Sequence, residues 1–313
     1  MASSDVVAPP SGEQHLIERD RHRVVVTEVG ATLRSYSVDG IDVLDGFDRG
    51  EMSSAGRGQV LAPWPNRLED GSYRFGDREG RAALDEPERG NAIHGLVRWL
   101  PWRSVSRTDA ELVLGCDLYS QPAYPWRLEL EVTYRITDEG LSVDSRATNL
   151  SEVAAPFGIG FHPYLTVGTG TIDEADVSIP ARRRLLTDER GLPTGDETVS
   201  GSAFDLSNAR SVQGVTLDTA FSDLIRSGDG RAEATLANPH DGRWVTVWID
   251  EAFRYLMVYT GDTLEPAGRR RRGIAIEPMT CPPNAFRSGV DVIRLEPGGS
   301  WRGRWGISVE EGS

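Results

Sequence analysis

The chain has 313 residues, enough for two average domains or for one large all-β domain. Its 34 basic and 48 acidic residues give a net charge of −14, which disfavours nucleic acid and anionic membrane surfaces as partners. Cys116 and Cys281 are far apart and lack metal-ligand spacing, so we expect free thiols rather than a disulfide framework or a zinc finger.

The N-terminal segment MASSDVVAPPSGEQHL lacks the apolar core of a signal peptide, and 18 apolar residues never run together. These features predict a cytoplasmic protein without a membrane span. Residues 1 to about 12 are rich in Ser, Pro and Gly and are predicted to be disordered, as is the short EEGS tail. No linker divides the remainder, so we expect a single domain over residues 1–313.

Apolar residues recur with a period of two along most of the chain. Residues 128–136 alternate apolar and polar side chains, and the turn at residues 138–140 leads into a second strand, which predicts a hairpin. Comparable strands occur in RVVVTEVGA, ELVLGCDL, RWVTVWID, RYLMVYTG, VIRLEP and WRGRWGISV. Many short strands with polar turns and almost no helical periodicity predict an all-β fold, a large antiparallel β-sandwich.

Glu277 is the unusual residue of the stretch IAIEPMTCPPNAF, which spans residues 274–286. The apolar residues before it predict a buried strand, and the prolines after it predict that the chain leaves the sheet directly after Glu277. A carboxylate at such a strand end is partly desolvated, which raises its pKa and suits a general base. The alternative is a solvated glutamate, or one paired with an arginine.

Four other stretches combine functional side chains with Pro, Gly and aromatic residues: LAPWPNRLEDGSYRFGD, NAIHGLVRW, GIGFHPYL and VTLDTAFSDL. Together with EPMTCPPNAF, and in this order, they resemble the aldose 1-epimerase (galactose mutarotase) family over roughly residues 20 to 310. The most specific pieces are PWPNR with the following GxYxF, NAIHGL, GFHPY and EPMTCPPNAF. The resemblance implies a β-supersandwich enzyme that interconverts the α and β anomers of a free aldose.

The resemblance also implies roles for individual residues. Glu277 matches the general base of the family and His162 matches its general acid. Three further positions match sugar-binding residues: Arg67, His94 and Asp218. The match of Asp218 is less distinctive, because Asp223 lies in the same stretch.

The chemistry of anomer exchange can be stated without the family. A proton must leave the O1 hydroxyl, a proton must reach the ring oxygen, and the C1–O5 bond must break and form again. A base and an acid on opposite sides of the hemiacetal suffice, each contributing on the order of 10²- to 10⁴-fold in rate. The reaction demands no metal or organic cofactor. The roles reverse on reclosure, so both groups should titrate near neutral pH, which Glu does only if burial raises its pKa.

Each candidate residue has a plainer alternative. His162 is either the acid partner of Glu277 or a buried structural histidine, and His94 either binds the sugar oxygens or satisfies loop carbonyls. Arg67 either binds two neighbouring sugar hydroxyls with its guanidinium fork or is a surface arginine. Asp218 is a sugar acceptor or an Asx-turn residue, and Trp64 is a stacking platform for a sugar or a core residue. A metal site built from two histidines and carboxylates is a further alternative.

Two other functions are compatible with the same sequence. A carbohydrate-binding module would use the sandwich and an aromatic platform but would not need a paired His and Glu. A glycoside hydrolase would need two carboxylates, for which Asp218 and Glu277 are the plausible pair.

The sequence predicts a small-molecule sugar as partner but not which aldose or which oligomeric state. The run Arg269–Arg272 is typical of a solvated loop, and the alternative is a rim that selects an anionic sugar.

Overall fold

The computed structural model describes residues 8–311. Its larger sheet is antiparallel and has nine strands, in the order Arg103–Arg107, Glu111–Leu118, Leu128–Thr137, Gly140–Asn149, Ser300–Glu310, Trp244–Ile249, Ala232–Ala237, Asp176–Ser178 and Arg210–Ser211. The first four strands of this order also follow one another in the chain.

The second sheet has eight strands and carries the motifs that the sequence singled out. Seven strands lie in the order Pro193–Thr198, Ala181–Thr187, Asp218–Leu224, Tyr255–Tyr259, Ile274–Met279, Gly160–Phe161 and Val60–Leu61, and Tyr164–Leu165 also pairs with Ile274–Met279. Strands distant in sequence are therefore neighbours here, which brings residues of four motifs together.

Smaller elements complete the fold. A four-stranded sheet contains Gln14–Arg19, His22–Thr27, Leu33–Val38 and Ile41–Asp42. Three two-stranded ladders pair Ala155–Phe157 with Ile293–Leu295, Arg67–Glu69 with Asn91–Ile93, and Ser72–Phe75 with Arg78–Arg81. The α-helix Ala285–Ser288 and the 3₁₀ turns Pro87–Arg89, Ile172–Glu174 and Ala267–Arg269 are short. With 48% strand and 4% helix, the predicted all-β class is confirmed.

The predicted hairpin forms between Leu128–Thr137 and Gly140–Asn149. Val132, Tyr134 and Leu141 are buried on one face, whereas Glu131 and Arg135 point to the other face. The alternation thus fixes the register, because a slip by one residue would exchange the two faces.

The core lies between the two large sheets. The ring of Phe161 on the eight-stranded sheet is 5.1 Å from the ring of Trp305 on the nine-stranded sheet. Burial of each large apolar side chain stabilises the fold by roughly 1.5–3 kcal/mol. Every residue of Ile274–Met279 is buried in this packing, including Glu277.

The strand that carries Glu277 continues past it, so the prediction that the chain leaves the sheet there is wrong. Pro278 lies opposite Leu256 and Met279 lies opposite Tyr255. The amides of Ile276 and Thr280 donate toward the segment 159–163, and Pro278 points its nitrogen to the same side. That neighbouring segment is interrupted between Phe161 and Tyr164, so no ladder hydrogen bond is lost there.

The expected disorder at the termini is partly wrong. Gly12 donates to the carbonyl of Pro9 in a turn, and Ser11 is buried and accepts a hydrogen bond from Gln14. Residues 1–7 lie outside the described residues. Glu310 belongs to the last strand opposite Trp244, and only residues 312–313 of the EEGS tail are outside the description.

Within residues 8–311, no helix is long and apolar enough to cross a membrane. Both cysteines are free and buried, as expected.

Candidate functional site

A cavity of about 500 Å³ opens beside the eight-stranded sheet, a volume in the usual range for small-molecule sites. Four strands of that sheet reach it, Tyr164–Leu165, Asp218–Leu224, Tyr255–Tyr259 and Ile274–Met279, and segments from the first hundred residues close its other side. Five of the six predicted site residues line this cavity: Arg67, His94, His162, Asp218 and Glu277. The sixth, Trp64, does not.

Glu277 and His162 are in direct contact in the cavity wall. His162 Nε2 is 3.3 Å from Glu277 Oε1, and both residues are at most 5% exposed. The sequence predicts a base and an acid on opposite sides of the sugar. The structure instead brings them side by side, which suits two oxygens, O1 and O5, that are bonded to the same carbon.

Burial shifts both groups toward their uncharged forms. It raises the pKa of Glu277 well above its usual value, the nearby carboxylate of Asp218 adds to this rise, and Arg67 opposes it. Burial, and after it the positive charge of Arg57, lowers the pKa of His162 to about 3. Both shifts favour the carboxylic acid and the neutral imidazole, and in that state the two groups hold one transferable proton between them.

One atom of each group is left for other partners. Among residues 8–311, Glu277 Oε2 and His162 Nδ1 are buried without a hydrogen-bond partner. A buried unpaired oxygen is costly, so Oε2 is a ready acceptor for a ligand hydroxyl.

The tautomer of His94 follows from its contacts. The amide of Asn66 donates to His94 Nδ1 at 3.2 Å, so a neutral ring must carry its proton on Nε2. Burial lowers the pKa of His94 well below its usual value, and the neighbouring His162 adds to this effect. His94 thus offers a neutral N–H donor beside His162, whose ring centre is 5.4 Å away.

Arg67 does not offer its whole guanidinium fork to a sugar as expected. Its Nε donates to Glu86 at 2.9 Å and its Nη2 at 3.1 Å, and Asp218 is 3.7 Å from Nη2. Glu86 also accepts a hydrogen bond from Asn91, so the arginine is held in a fixed orientation. Glu86 was not among the residues predicted from the sequence. Its position in the charged turn DEPERG, directly before NAIHGL, could have indicated it.

Asp218 lies at the cavity and Asp223 does not. Asp218 opens the strand Asp218–Leu224, its side chain is 43% exposed, and it faces Arg67 and Arg89. Asp223, near the other end of the same strand, is paired with Arg182. Of the two aspartates in the LDTAFSDL stretch, Asp218 is therefore the one placed to reach a ligand in the cavity.

Trp64 is a core residue, and its expected role as a stacking platform is wrong. It is 2% exposed, and its ring packs on Tyr73 and Phe286. The aromatic residues at the cavity are Tyr164 and Tyr259, which the sequence argument did not single out. Tyr164 stood inside the quoted GFHPY motif, two residues after His162.

The four arginines of Arg269–Arg272 are paired with carboxylates and do not line the cavity. Arg269 pairs with Asp45 and Glu51, Arg270 with Glu265, Arg271 with Asp173 and Asp262, and Arg272 with Asp45. The alternative of a rim that selects an anionic sugar is therefore wrong for this cavity. The run instead joins its loop to neighbouring segments.

Size alone does not identify the site, because a larger cavity of about 760 Å³ lies elsewhere. Its lining includes Asp45, Arg269 and Arg272, whose charges already pair with one another. The smaller cavity is the stronger candidate, since it holds a buried acid and a buried base with opposite pKa shifts.

The alternative of a metal site gains no support from the geometry. In the part of the chain that the structure describes, no three His, Cys, Asp or Glu side chains are grouped so that they could hold a metal ion.

Comparison with known proteins agrees with the resemblance seen in the sequence motifs. The family model of aldose 1-epimerase matches residues 13–308. The uncharacterized protein YihR of Escherichia coli K12 is 34% identical over 280 residues, which cover 89% of this chain and 87% of YihR.

Solved structures share the fold at low sequence identity. An aldose epimerase homologue from C. elegans superposes with a TM-score of 0.85 at 16% identity, covering 96% of this chain and 100% of that chain. A galactose 1-epimerase from Lactobacillus acidophilus gives a TM-score of 0.80 at 21% identity, covering 96% and 95%. The fold is thus that of the galactose mutarotases, and with the family model spanning nearly all described residues, this chain belongs to the aldose 1-epimerase family.

Proposed function

We propose that this protein is an aldose 1-epimerase that interconverts the α and β anomers of a free hexose, with Glu277 and His162 as base and acid. The observation that carries the proposal is the buried contact between His162 Nε2 and Glu277 Oε1 in the cavity wall. A carbohydrate-binding module has no need of such a pair.

The mechanism uses the one transferable proton of the pair. The reactive form of the pair is the tautomer in which this proton has moved from Glu277 to His162. In it, Glu277 removes the O1 proton while His162 gives its proton to the ring oxygen. The C1–O5 bond breaks, and O1 becomes the carbonyl oxygen of the open-chain aldose. Glu277 is then protonated and His162 neutral, so no net charge has appeared in the buried site. Rotation about the C1–C2 bond and the reverse transfers close the ring from the other face.

The remaining residues of the cavity would bind the sugar. His94 would donate through Nε2, Asp218 would accept from hydroxyls, and Arg67 would contact the sugar from the orientation that Glu86 imposes. We infer a neutral hexose as the first substrate to test, because the arginines at this cavity face carboxylates.

The test is exchange NMR of the anomeric protons across a panel of aldoses, at several enzyme concentrations to separate catalysis from spontaneous mutarotation. At least one hexose should exchange its anomers at a rate proportional to enzyme. No enzyme-dependent exchange with any aldose would contradict the proposal.

Glycoside hydrolysis by Asp218 and Glu277 is the rival that the same sample can test. Asp218 is partly exposed and bound by two arginines, which does not suit a proton donor. Release of an aglycone from aryl glycosides would favour the hydrolase.

A further inference from the structure

His162 is enclosed by a loop that also carries a buried arginine. The amide of Gly58 donates to the carbonyl of His162 at 2.8 Å, and the amide of His162 donates to Gln59 at 3.2 Å. Gly56 lies against the imidazole so closely that a Cβ atom there would be 2.5 Å from His162 Cδ2. The segment 53–59 therefore sets the position of both the backbone and the ring of His162.

Arg57, between these two glycines, is buried below the ring stack of the site. Its guanidinium carbon lies 4.4 Å from the centre of the Tyr164 ring. The Tyr164 ring also stacks on the imidazole of His162, with 5.0 Å between the ring centres and 14° between the ring planes. Tyr164 therefore lies between the buried cation of Arg57 and the imidazole of His162, and its ring contacts both.

Asp45 fixes both Arg57 and Tyr164. Its carbonyl accepts from Arg57 Nε at 2.8 Å, its carboxylate accepts from Arg57 Nη2 at 3.1 Å, and its amide donates to the carbonyl of Tyr164 at 2.9 Å. The side chains of Arg57 and Asp45 are each 3% exposed. A buried charge pair is an expensive way to hold a loop, which points to a use beyond stability.

We infer that Arg57 is a positioning residue of the proposed epimerase, which through Asp45 and Tyr164 holds the His162 imidazole against Glu277. The expected changes in kcat and in the pH profile rest on the proposed function, whereas the expected change in the His162 NMR resonance does not. Arg57 touches neither the cavity nor Glu277, so it acts only through Tyr164 and the loop.

Several charged or titratable groups face His162. Arg57 and Tyr164 lie on one side, His94 and Arg98 come from the NAIHGLVRW stretch, and Glu277 comes from the strand Ile274–Met279. Arg57 and Arg98 both oppose a positive charge on His162, and Arg57 has the larger effect. Loss of Arg57 should therefore make His162 easier to protonate at low pH.

The test variant is Arg57→Gln, which removes the cation and keeps a hydrogen-bond donor. Asp45 would retain Arg269 and Arg272 at 3.5 Å each, so its buried charge would not be left alone. We expect kcat to fall about tenfold with KM within about threefold, as for a group that acts on the transition state rather than on binding. The acid limb of kcat/KM should move up by about one pH unit.

Two further variants separate charge from shape. Arg57→Lys keeps the cation without the fork, so the acid limb should stay where the parent has it while kcat falls less than in Arg57→Gln. Arg231→Gln removes a guanidinium stacked at 4.3 Å on Trp248 of the other sheet, and should leave kcat and the pH profile unchanged.

NMR of His162 gives a readout that does not need activity. The chain has five histidines, and His162→Asn identifies the resonance that belongs to this ring. In the parent the His162 resonance should stay in its neutral position well below pH 6, whereas in Arg57→Gln it should titrate at higher pH.

The outcomes are distinguishable. An inactive parent whose His162 resonance still responds to Arg57→Gln would contradict the proposed function and support the positioning role. An active parent in which Arg57→Gln changes neither kcat, nor the acid limb, nor the His162 resonance would overturn the inference. If Arg57→Gln does not fold, the double variant Asp45→Asn/Arg57→Gln removes both charges and is read by the same criteria.

Discussion

The outer face of the nine-stranded sheet and the cavity of the eight-stranded sheet both place carboxylates beside basic side chains, but in different surroundings. On the outer face, Arg135 pairs with Glu111 and Asp144, and Arg304 also pairs with Asp144, with side chains 28–54% exposed. Such exposed pairs contribute about 0–1 kcal/mol each. In the cavity, Glu277 and His162 have side chains 3% and 6% exposed. Burial of a carboxylate beside an imidazole, which can titrate as arginine cannot, makes an acid and a base of the pair.

Replacing a carboxylate should change kcat far more in the cavity than on the outer face. Glu277→Gln keeps the shape and removes the basic oxygen, so kcat for anomer exchange should fall by on the order of 10²-fold or more. Asp144→Asn on the outer face is the matched control and should stay within about twofold of the parent, because exposed pairs contribute little. A Glu277→Gln enzyme within about threefold of the parent would disprove the mechanism.

Removing the acid should cost about as much and reveal the shared proton. His162→Asn should lower kcat by about 10²-fold, and the double variant with Glu277→Gln should lose little more than either single change. The parent profile of kcat/KM should be bell-shaped, and each single variant should lack one limb.

The position of the two limbs follows from the direction of the pKa shifts. Burial lowers the pKa of His162 from 6.5, so the acid limb should lie below pH 6.5, and burial raises the pKa of Glu277 from 4.5, so the alkaline limb should lie above pH 4.5. An acid limb above pH 6.5 in the parent would contradict the burial argument.

The positioning of Arg67 should affect binding more than turnover. Glu86→Gln weakens a charged hydrogen bond that orients Arg67, so KM should rise about tenfold with a smaller change in kcat. Glu79→Gln removes an exposed partner of Arg74 and should leave KM unchanged. Equal KM values for both variants would show that Arg67 does not contact the sugar.

The buried acid should also cost stability at alkaline pH. The pKa of Glu277 is higher in the folded than in the unfolded chain, so the unfolded chain releases this proton first as pH rises above 4.5. Glu277 therefore lowers the free energy of unfolding as pH rises toward its folded pKa. Glu277→Gln should melt at a higher temperature than the parent at pH 8, and the difference should shrink near pH 4.5. A constant difference at both pH values would contradict the shift.

Trp64 should matter for stability and not for the sugar. Trp64→Ala empties a packed core position, so the free energy of unfolding should fall by about 3–5 kcal/mol. The folded fraction should keep the KM of the parent. Trp99→Ala, at a tryptophan that is 48% exposed, should change stability much less. A raised KM in Trp64→Ala at full folding would restore the stacking role.

The sequence by itself determined the class of fold and most of the residues that line the candidate site. Period-two alternation predicted the strands Glu111–Leu118 and Leu128–Thr137, because inward and outward side chains must alternate on a sheet with one buried face. Ordered motifs indicated Glu277, His162, His94, Arg67 and Asp218, all of which line one cavity.

Only the tertiary structure decided how these residues meet. The contact of His162 with Glu277, the hold of Glu86 on Arg67 and the support of His162 by Arg57 join segments that are 19 to more than 100 residues apart. The ring partners of Trp64 and the carboxylate partners of Arg269–Arg272 were likewise not readable from the sequence. Local patterns indicate whether a residue is buried. Its partners depend on which distant strands pair, because the same local pattern is compatible with many pairings.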